Sequence, residues 1–159
     1  MLGLSNPVEA GVQWRRAPHA FMFFGRSQDE PLPNVIAVVD DDESVREALT
    51  GLMKSLGYRA VAFQSAEDFL NSKRRRGAAC LIADVQMPGM TGPELHDRLV
   101  ASGEAIPTIL ITAYPDERMR ARALRAGVRG YLTKPFSEVD LLACIRSALE
   151  SDAAGTKET

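Results

Sequence analysis

Four places in this chain put polar or charged groups directly behind short apolar runs. Asp40-Asp41-Asp42-Glu43 follows Val35-Ile36-Ala37-Val38-Val39. Asp84 follows Ala79-Cys80-Leu81-Ile82-Ala83. Thr112-Ala113 follows Thr108-Ile109-Leu110-Ile111, and Thr133-Lys134-Pro135 follows Gly130-Tyr131-Leu132. Carboxylates gathered at one place repel, and some take up protons unless a cation intervenes. Mg²⁺ suits such a place, because it prefers oxygen ligands and keeps several waters. A lysine offsets part of the remaining charge, and a hydroxyl adds a donor. Together these groups form a cradle for a phosphoryl group, whose transfer needs chiefly positioning and electrostatic stabilisation of its oxygens. One carboxylate can serve as the nucleophile, giving an acyl phosphate. Taken singly, each group has a plainer role: an acid after a strand often caps the next helix, and a Lys-Pro pair often makes a turn. One such group per strand end argues for a shared site.

The elements that must position these groups are regular from Asn34 onward. The apolar runs read as strands over Val35–Val39, Arg59–Phe63, Ala79–Ala83, Thr108–Ile111 and Gly130–Leu132, most of them buried on both faces. Between them the apolar spacing is helical. Val45, Leu49, Leu52, Met53 and Leu56 share one face, and Gly57 closes that helix. Ser65 with Asp68, Thr91 with Glu94 and Ser137 with Asp140 mark three further helix starts. The segment Asp116 to Ala126 is helical, and Gly127 ends it. The last helix carries Leu141, Leu142, Ile145 and Leu149 on one face. Five strand–helix alternations imply an α/β fold, a parallel sheet covered on both faces. In such sheets a site lies outside the carboxyl ends of the strands, where the four polar groups fall.

The remaining chain is read as flanking segments. Residues 1–33 contain Pro7, Pro18, Pro31 and Pro33 and no lasting periodicity, which predicts a disordered leader. Met22 is an alternative translation start. Residues 151–159 are polar and read as a disordered tail. The chain has 159 residues, 45% of them apolar and 25% charged, an ordinary globular balance. Its formal net charge of -2 gives no electrostatic case for nucleic acid or an anionic membrane. The apolar runs are too short to span a bilayer, and the Arg15-Arg16 start with Phe21 to Phe24 makes a poor signal peptide. A cytoplasmic protein is expected. Cys80 and Cys144 lie in apolar stretches and read as small buried hydrophobes. His19 and His96 have no ligand-like companions.

The chain resembles the response-regulator receiver domains of bacterial two-component systems. The resemblance rests on Val38-Val39-Asp40-Asp41-Asp42, on Leu81-Ile82-Ala83-Asp84-Val85-Gln86-Met87-Pro88-Gly89-Met90-Thr91-Gly92, on Ile109-Leu110-Ile111-Thr112-Ala113 and on Tyr131-Leu132-Thr133-Lys134-Pro135-Phe136. It covers Val35 to about Glu150, so residues 34–150 form the expected receiver domain. It implies a flavodoxin-like five-stranded sheet of order 2-1-3-4-5 with five helices on both faces. It also implies that Asp84 is the phosphoacceptor. Asp41 would be a direct Mg²⁺ ligand, and Asp40 would hold the metal directly or through water. The Gln86 carbonyl would complete the protein ligands. Asp42 and Glu43 sit where acids suit a helix start. Lys134, behind a cis peptide bond to Pro135, would pair with Asp84 and then with the phosphate. Thr112 would bond the phosphate, and Tyr131 would be the aromatic that turns inward as Thr112 moves.

As partners the resemblance implies a sensor histidine kinase or histidine phosphotransfer protein. A second copy or a downstream protein would bind at the fourth helix, fifth strand and fifth helix. Arg118, Arg122, Arg125 and Arg129 are spaced to share one face there, as a solvated surface or a partner surface. Lys73 to Arg76 reads as plain solvation. The domain would be a signalling phosphoacceptor with self-catalysed phosphorylation and dephosphorylation rather than an enzyme. It is expected to stand alone, without a DNA-binding output. A competing reading is a haloacid-dehalogenase-type phosphatase using Asp40 and Asp42 with Mg²⁺; it leaves Asp84 without a role. A flavodoxin-like nucleotide-binding module would need a Gly-rich phosphate loop after the first strand, and none is present.

Overall fold

The computed structural model describes the main chain of residues 34–158 and the side chains of residues 34–150. Segment 1–33, expected to be a disordered leader, lies outside the described residues. In chain order the elements are β1 (Val35–Val39), α1 (Glu43–Ser55), β2 (Arg59–Phe63), α2 (Ala66–Asn71), β3 (Ala78–Asp84), α3 (Gly92–Ala101), β4 (Thr108–Thr112), α4 (Glu117–Arg125), β5 (Gly130–Thr133) and α5 (Glu138–Glu158). The strands form one sheet of order β2-β1-β3-β4-β5, and every pair is parallel. This is the flavodoxin-like order implied by the resemblance.

The period-two alternation of each strand divides the core into two layers. Ala37, Val39, Leu81, Ala83 and Leu110 point to one face, where they meet Phe69 of α2, Leu95 and Leu99 of α3 and Ala123 of α4. Ile36, Val38, Cys80, Ile82, Ile109 and Ile111 point to the other, against Leu49 and Met53 of α1 and Leu141, Ile145 and Ala148 of α5. Each fully buried Ile or Leu contributes about 1.5–3 kcal/mol of burial free energy. Cys80 and Cys144 are free thiols within or against the second layer. Burial pushes the Cys80 thiol up to about 12, consistent with a packing role.

The helix starts follow their capping residues. Asp42 accepts from the N–H groups of Ser44 and Val45. Ser65 accepts from Asp68, and Thr91 and Glu94 form a reciprocal capping box. Ser137 Oγ accepts from the Asp140 N–H at 3.0 Å.

Two details differ from the sequence reading. The main chain stays helical to Glu158, past the expected boundary at Ser151. Ser151-Asp152-Ala153-Ala154 contains no helix-stopping residue, and one interior glycine costs only about 1 kcal/mol. The basic run Lys73 to Arg76 is also more than solvated charge. Lys73–Arg75 forms a 3₁₀ turn. Arg75 there bonds the Leu70 carbonyl and Glu104, each at 3.1 Å. The Arg74 guanidinium lies 5.9 Å from the Phe63 ring centroid.

Candidate functional site

Register brings the polar groups together. Val39 of β1 lies beside Ala83 of β3, so Asp40 and Asp84 emerge side by side at the middle of the sheet. Asp84 is level with Ile111 of β4, which puts Thr112 one residue further on. Thr112 is level with Thr133 of β5, and the Lys134 N–H donates to the Thr112 carbonyl at 2.7 Å. The Lys134–Pro135 peptide bond is cis, as the resemblance implies.

Asp40, Asp41 and Asp84 each offer a carboxylate oxygen, and the three oxygens lie within 4.8 Å of one another. Their environments differ. Asp40 is fully buried, Asp84 is nearly so, and Asp41 is exposed. Lys134 Nζ lies 3.3 Å from Asp40 Oδ2 and 3.7 Å from Asp84 Oδ2, bridging the two buried acids. Asp40 Oδ1 accepts the Asp42 N–H at 2.8 Å. Burial, followed by the charge of Asp40, pushes the Asp84 carboxyl up to about 6. Lys134 and the Gln86 N–H oppose that rise, and Asp41 adds to it. This donor set fits a hard divalent cation: three carboxylates in reach, one open to solvent, with the Gln86 main chain beside Asp84.

Not every predicted residue points into this cluster. The Asp42 side chain is committed to capping α1. The Thr112 hydroxyl is buried, but its bonds run to the Tyr114 main chain, accepting from the N–H at 3.0 Å and donating to the carbonyl at 3.3 Å. Tyr131 is half-buried against the α2–α3–α4 layer. Its hydroxyl is sealed from solvent without a hydrogen-bond partner among the described residues. Burial, together with Asp116 and Glu117, raises the Tyr131 phenol pKa.

Arg46 was not singled out in the sequence, yet its Nη1 donates to the Asp40 carbonyl at 2.7 Å. That bond ties the end of β1 to the second turn of α1. The signal available was an arginine six residues after Asp40 on a helix that begins in acids.

Removing the Lys134 ammonium leaves the fully buried Asp40 carboxylate facing Asp84 without its counter-charge. Lys134→Met is expected to lower stability at neutral pH without divalent cations by about 2 kcal/mol. Urea unfolding of both proteins in chelator measures this, and equal midpoints would remove the bridging role.

The comparisons agree with this geometry. The family described as the response regulator receiver domain matches residues 36–146. Response regulator protein TmoT of Ectopseudomonas mendocina is 44% identical over 126 residues, covering 79% of this chain and 57% of that protein. The solved structure of response regulator StyR superposes with a TM-score of 0.72 at 40% identity, covering 79% of this chain and 64% of that one. The solved FixJ-N structure superposes with a TM-score of 0.67 at 34% identity, covering 74% of this chain and 94% of that one. The chain spans about half the length of the curated relatives it matches. With the parallel 2-1-3-4-5 sheet and the acidic cluster at its carboxyl edge, the chain belongs to the response regulator receiver domain family.

Proposed function

We propose that this receiver takes a phosphoryl group onto Asp84 from a phosphohistidine of a sensor histidine kinase or histidine phosphotransfer protein. The observation that carries the reading is the Lys134 ammonium set between two buried carboxylates, Asp40 and Asp84, with Asp41 in reach. In the transfer, an Asp84 carboxylate oxygen attacks phosphorus and a P–O bond forms. The P–N bond to the histidine breaks, and the imidazole leaves with a proton from solvent. The product is an acyl phosphate.

Asp40, Asp41, Asp84 and the Gln86 carbonyl would hold Mg²⁺, whose charge offsets that of the phosphoryl oxygens. Lys134 would move from its carboxylate pair to a phosphoryl oxygen. Thr112 would give up Tyr114 and donate to another, and Tyr131 would move into the space so released. The phosphoryl group shifts this equilibrium only as far as it binds one arrangement better than the other. The face that changes is α4, β5 and α5, where Arg118, Arg122, Arg125 and Arg129 are exposed. A second copy or a downstream protein would read it there, in the cytoplasm, without direct contact to nucleic acid. Among the described residues, no helix is long and apolar enough to cross a membrane.

The alternative reading as a haloacid-dehalogenase-type phosphatase needs Asp42 as a second acid. Its side chain instead caps α1, which favours the receiver reading. The test is incubation with acetyl phosphate and Mg²⁺ followed by intact-mass measurement. The wild-type chain is expected to gain one phosphoryl group, removable by hydroxylamine, and Asp84→Asn none. Uptake that survives Asp84→Asn but not Asp40→Asn would overturn the assignment.

A further inference from the structure

The segment after β3 leads from Asp84 through Gln86 to the start of α3. Among the described residues, no hydrogen bond joins the main chain of residues 87–90 to main-chain groups elsewhere in the protein. Its two ends are tied to each other, the Gly92 N–H donating to the Val85 carbonyl at 3.2 Å. Met87 is buried in the layer under α2 and α3. Between those ends the Met90 N–H donates to Glu67 Oε2 at 3.0 Å. That partner comes from a different element, the first turn of α2.

The fit at this contact is close. A Cβ built on Gly89 would lie 2.8 Å from the same Glu67 oxygen, and Gly89 has a φ of +77°. The carboxylate therefore occupies space that any side chain at position 89 would contest, against a main-chain conformation that favours glycine. Glu67 itself stands on a firm base. Ser65 caps α2, and Ala66 and Phe69 on either side are fully buried. The Phe69 ring meets Phe63 edge-on at 5.2 Å between centroids. The main chain that carries Glu67 is thus anchored, and its carboxylate ties down a segment with few other bonds.

We infer that Glu67 is a positioning residue for the cation site: by holding Met90 it sets where the Gln86 carbonyl lies relative to Asp40, Asp41 and Asp84. The inference rests on the receiver reading, in which that carbonyl is a ligand. Groups that orient ligands from outside the first ring of contacts affect metal affinity strongly, by about 10–100-fold when removed. Glu67 is exposed, so the low end of that range applies.

The experiment compares wild type, Glu67→Ala and Glu67→Gln as full chains, with three readouts. These are Mg²⁺ affinity from the metal-dependent rise in melting temperature, amide hydrogen exchange of segment 86–91, and phosphoryl uptake from acetyl phosphate. Glu67→Ala is expected to weaken Mg²⁺ binding about tenfold and to speed exchange in the segment, with little change in metal-free stability. Glu67→Gln keeps an acceptor oxygen at the same reach and is expected to retain both properties. Unchanged Mg²⁺ affinity and exchange in Glu67→Ala, beside a normal wild type, would overturn the inference alone. Equal impairment of Glu67→Gln would assign the effect to charge rather than to the bond, and would also overturn it. A wild-type chain that neither responds to Mg²⁺ nor takes up phosphoryl would overturn the site reading, and the inference with it.

Discussion

Asp84→Asn is expected to stabilise the metal-free protein at neutral pH while abolishing phosphoryl uptake. The cause is the position of the nearly buried Asp84 beside the fully buried Asp40. Burial and the Asp40 charge raise its carboxyl from 3.8 to about 6. The folded state therefore holds a proton in a pH range where the unfolded chain has released it. Stability falls as pH rises from about 4 through about 6, and the whole cost is present above that range. A shift of this size corresponds to about 2–3 kcal/mol against the ionised form. An amide carries no such charge, so Asp84→Asn removes the cost, and the two proteins converge below about pH 4. Urea unfolding of both proteins across that range, in chelator, measures the difference. A variant no more stable than wild type at pH 7 would show that the cluster is not electrostatically strained. The same strain is what a bound divalent cation would relieve, so Mg²⁺ should raise the wild-type midpoint more than that of the variant.

The second large effect is expected at Gly92, the first residue of α3. A Cβ there would lie 2.4 Å from the Asp84 carbonyl oxygen, 3.1 Å from its carbonyl carbon and 3.0 Å from Leu110 Cδ2. Two of these are main-chain atoms, and the third is the terminal methyl of a leucine packed in the core. The main chain of Asp84 is held in the sheet, and Leu110 is fully buried. Gly92→Ala must therefore push α3 away from β3 or displace Asp84 itself. About 3 kcal/mol of stability is expected to be lost, as for an overpacked core. Phosphoryl uptake per folded molecule is expected to fall about 100-fold, because a displacement of about an ångström at the reacting group is costly. Thermal unfolding and the acetyl phosphate assay measure the two effects. Wild-type values in both would mean that α3 has room to move.

Much of the architecture was legible from local chemistry. The apolar runs Val35–Val39 and Ala79–Ala83, and the capping residues Ser65, Thr91 and Ser137, act over a few residues, so sequence order alone reveals them. The five strands, their helices and the polar residue behind each strand followed from this. That Asp42 would leave the acidic group to cap α1 was also readable, because capping depends on the next three residues. The strand order itself came from resemblance. No local pattern distinguishes β1 beside β3 from β1 beside β4.

What only the tertiary structure decided concerns groups far apart in the chain. It placed Lys134 between Asp40 and Asp84, turned the Thr112 hydroxyl toward Tyr114, left the Tyr131 hydroxyl without a partner among the described residues, brought Arg46 to the Asp40 carbonyl and set Glu67 against Met90. It also separated the acids by environment, burying Asp40 and exposing Asp41, its immediate neighbour. The amino-acid sequence by itself determined which chemical groups stand at the carboxyl edge of the sheet, because residue type and strand periodicity are local properties. Their distances, burial and charge balance were decided by strand register and helix packing, which sum weak contacts across the whole domain.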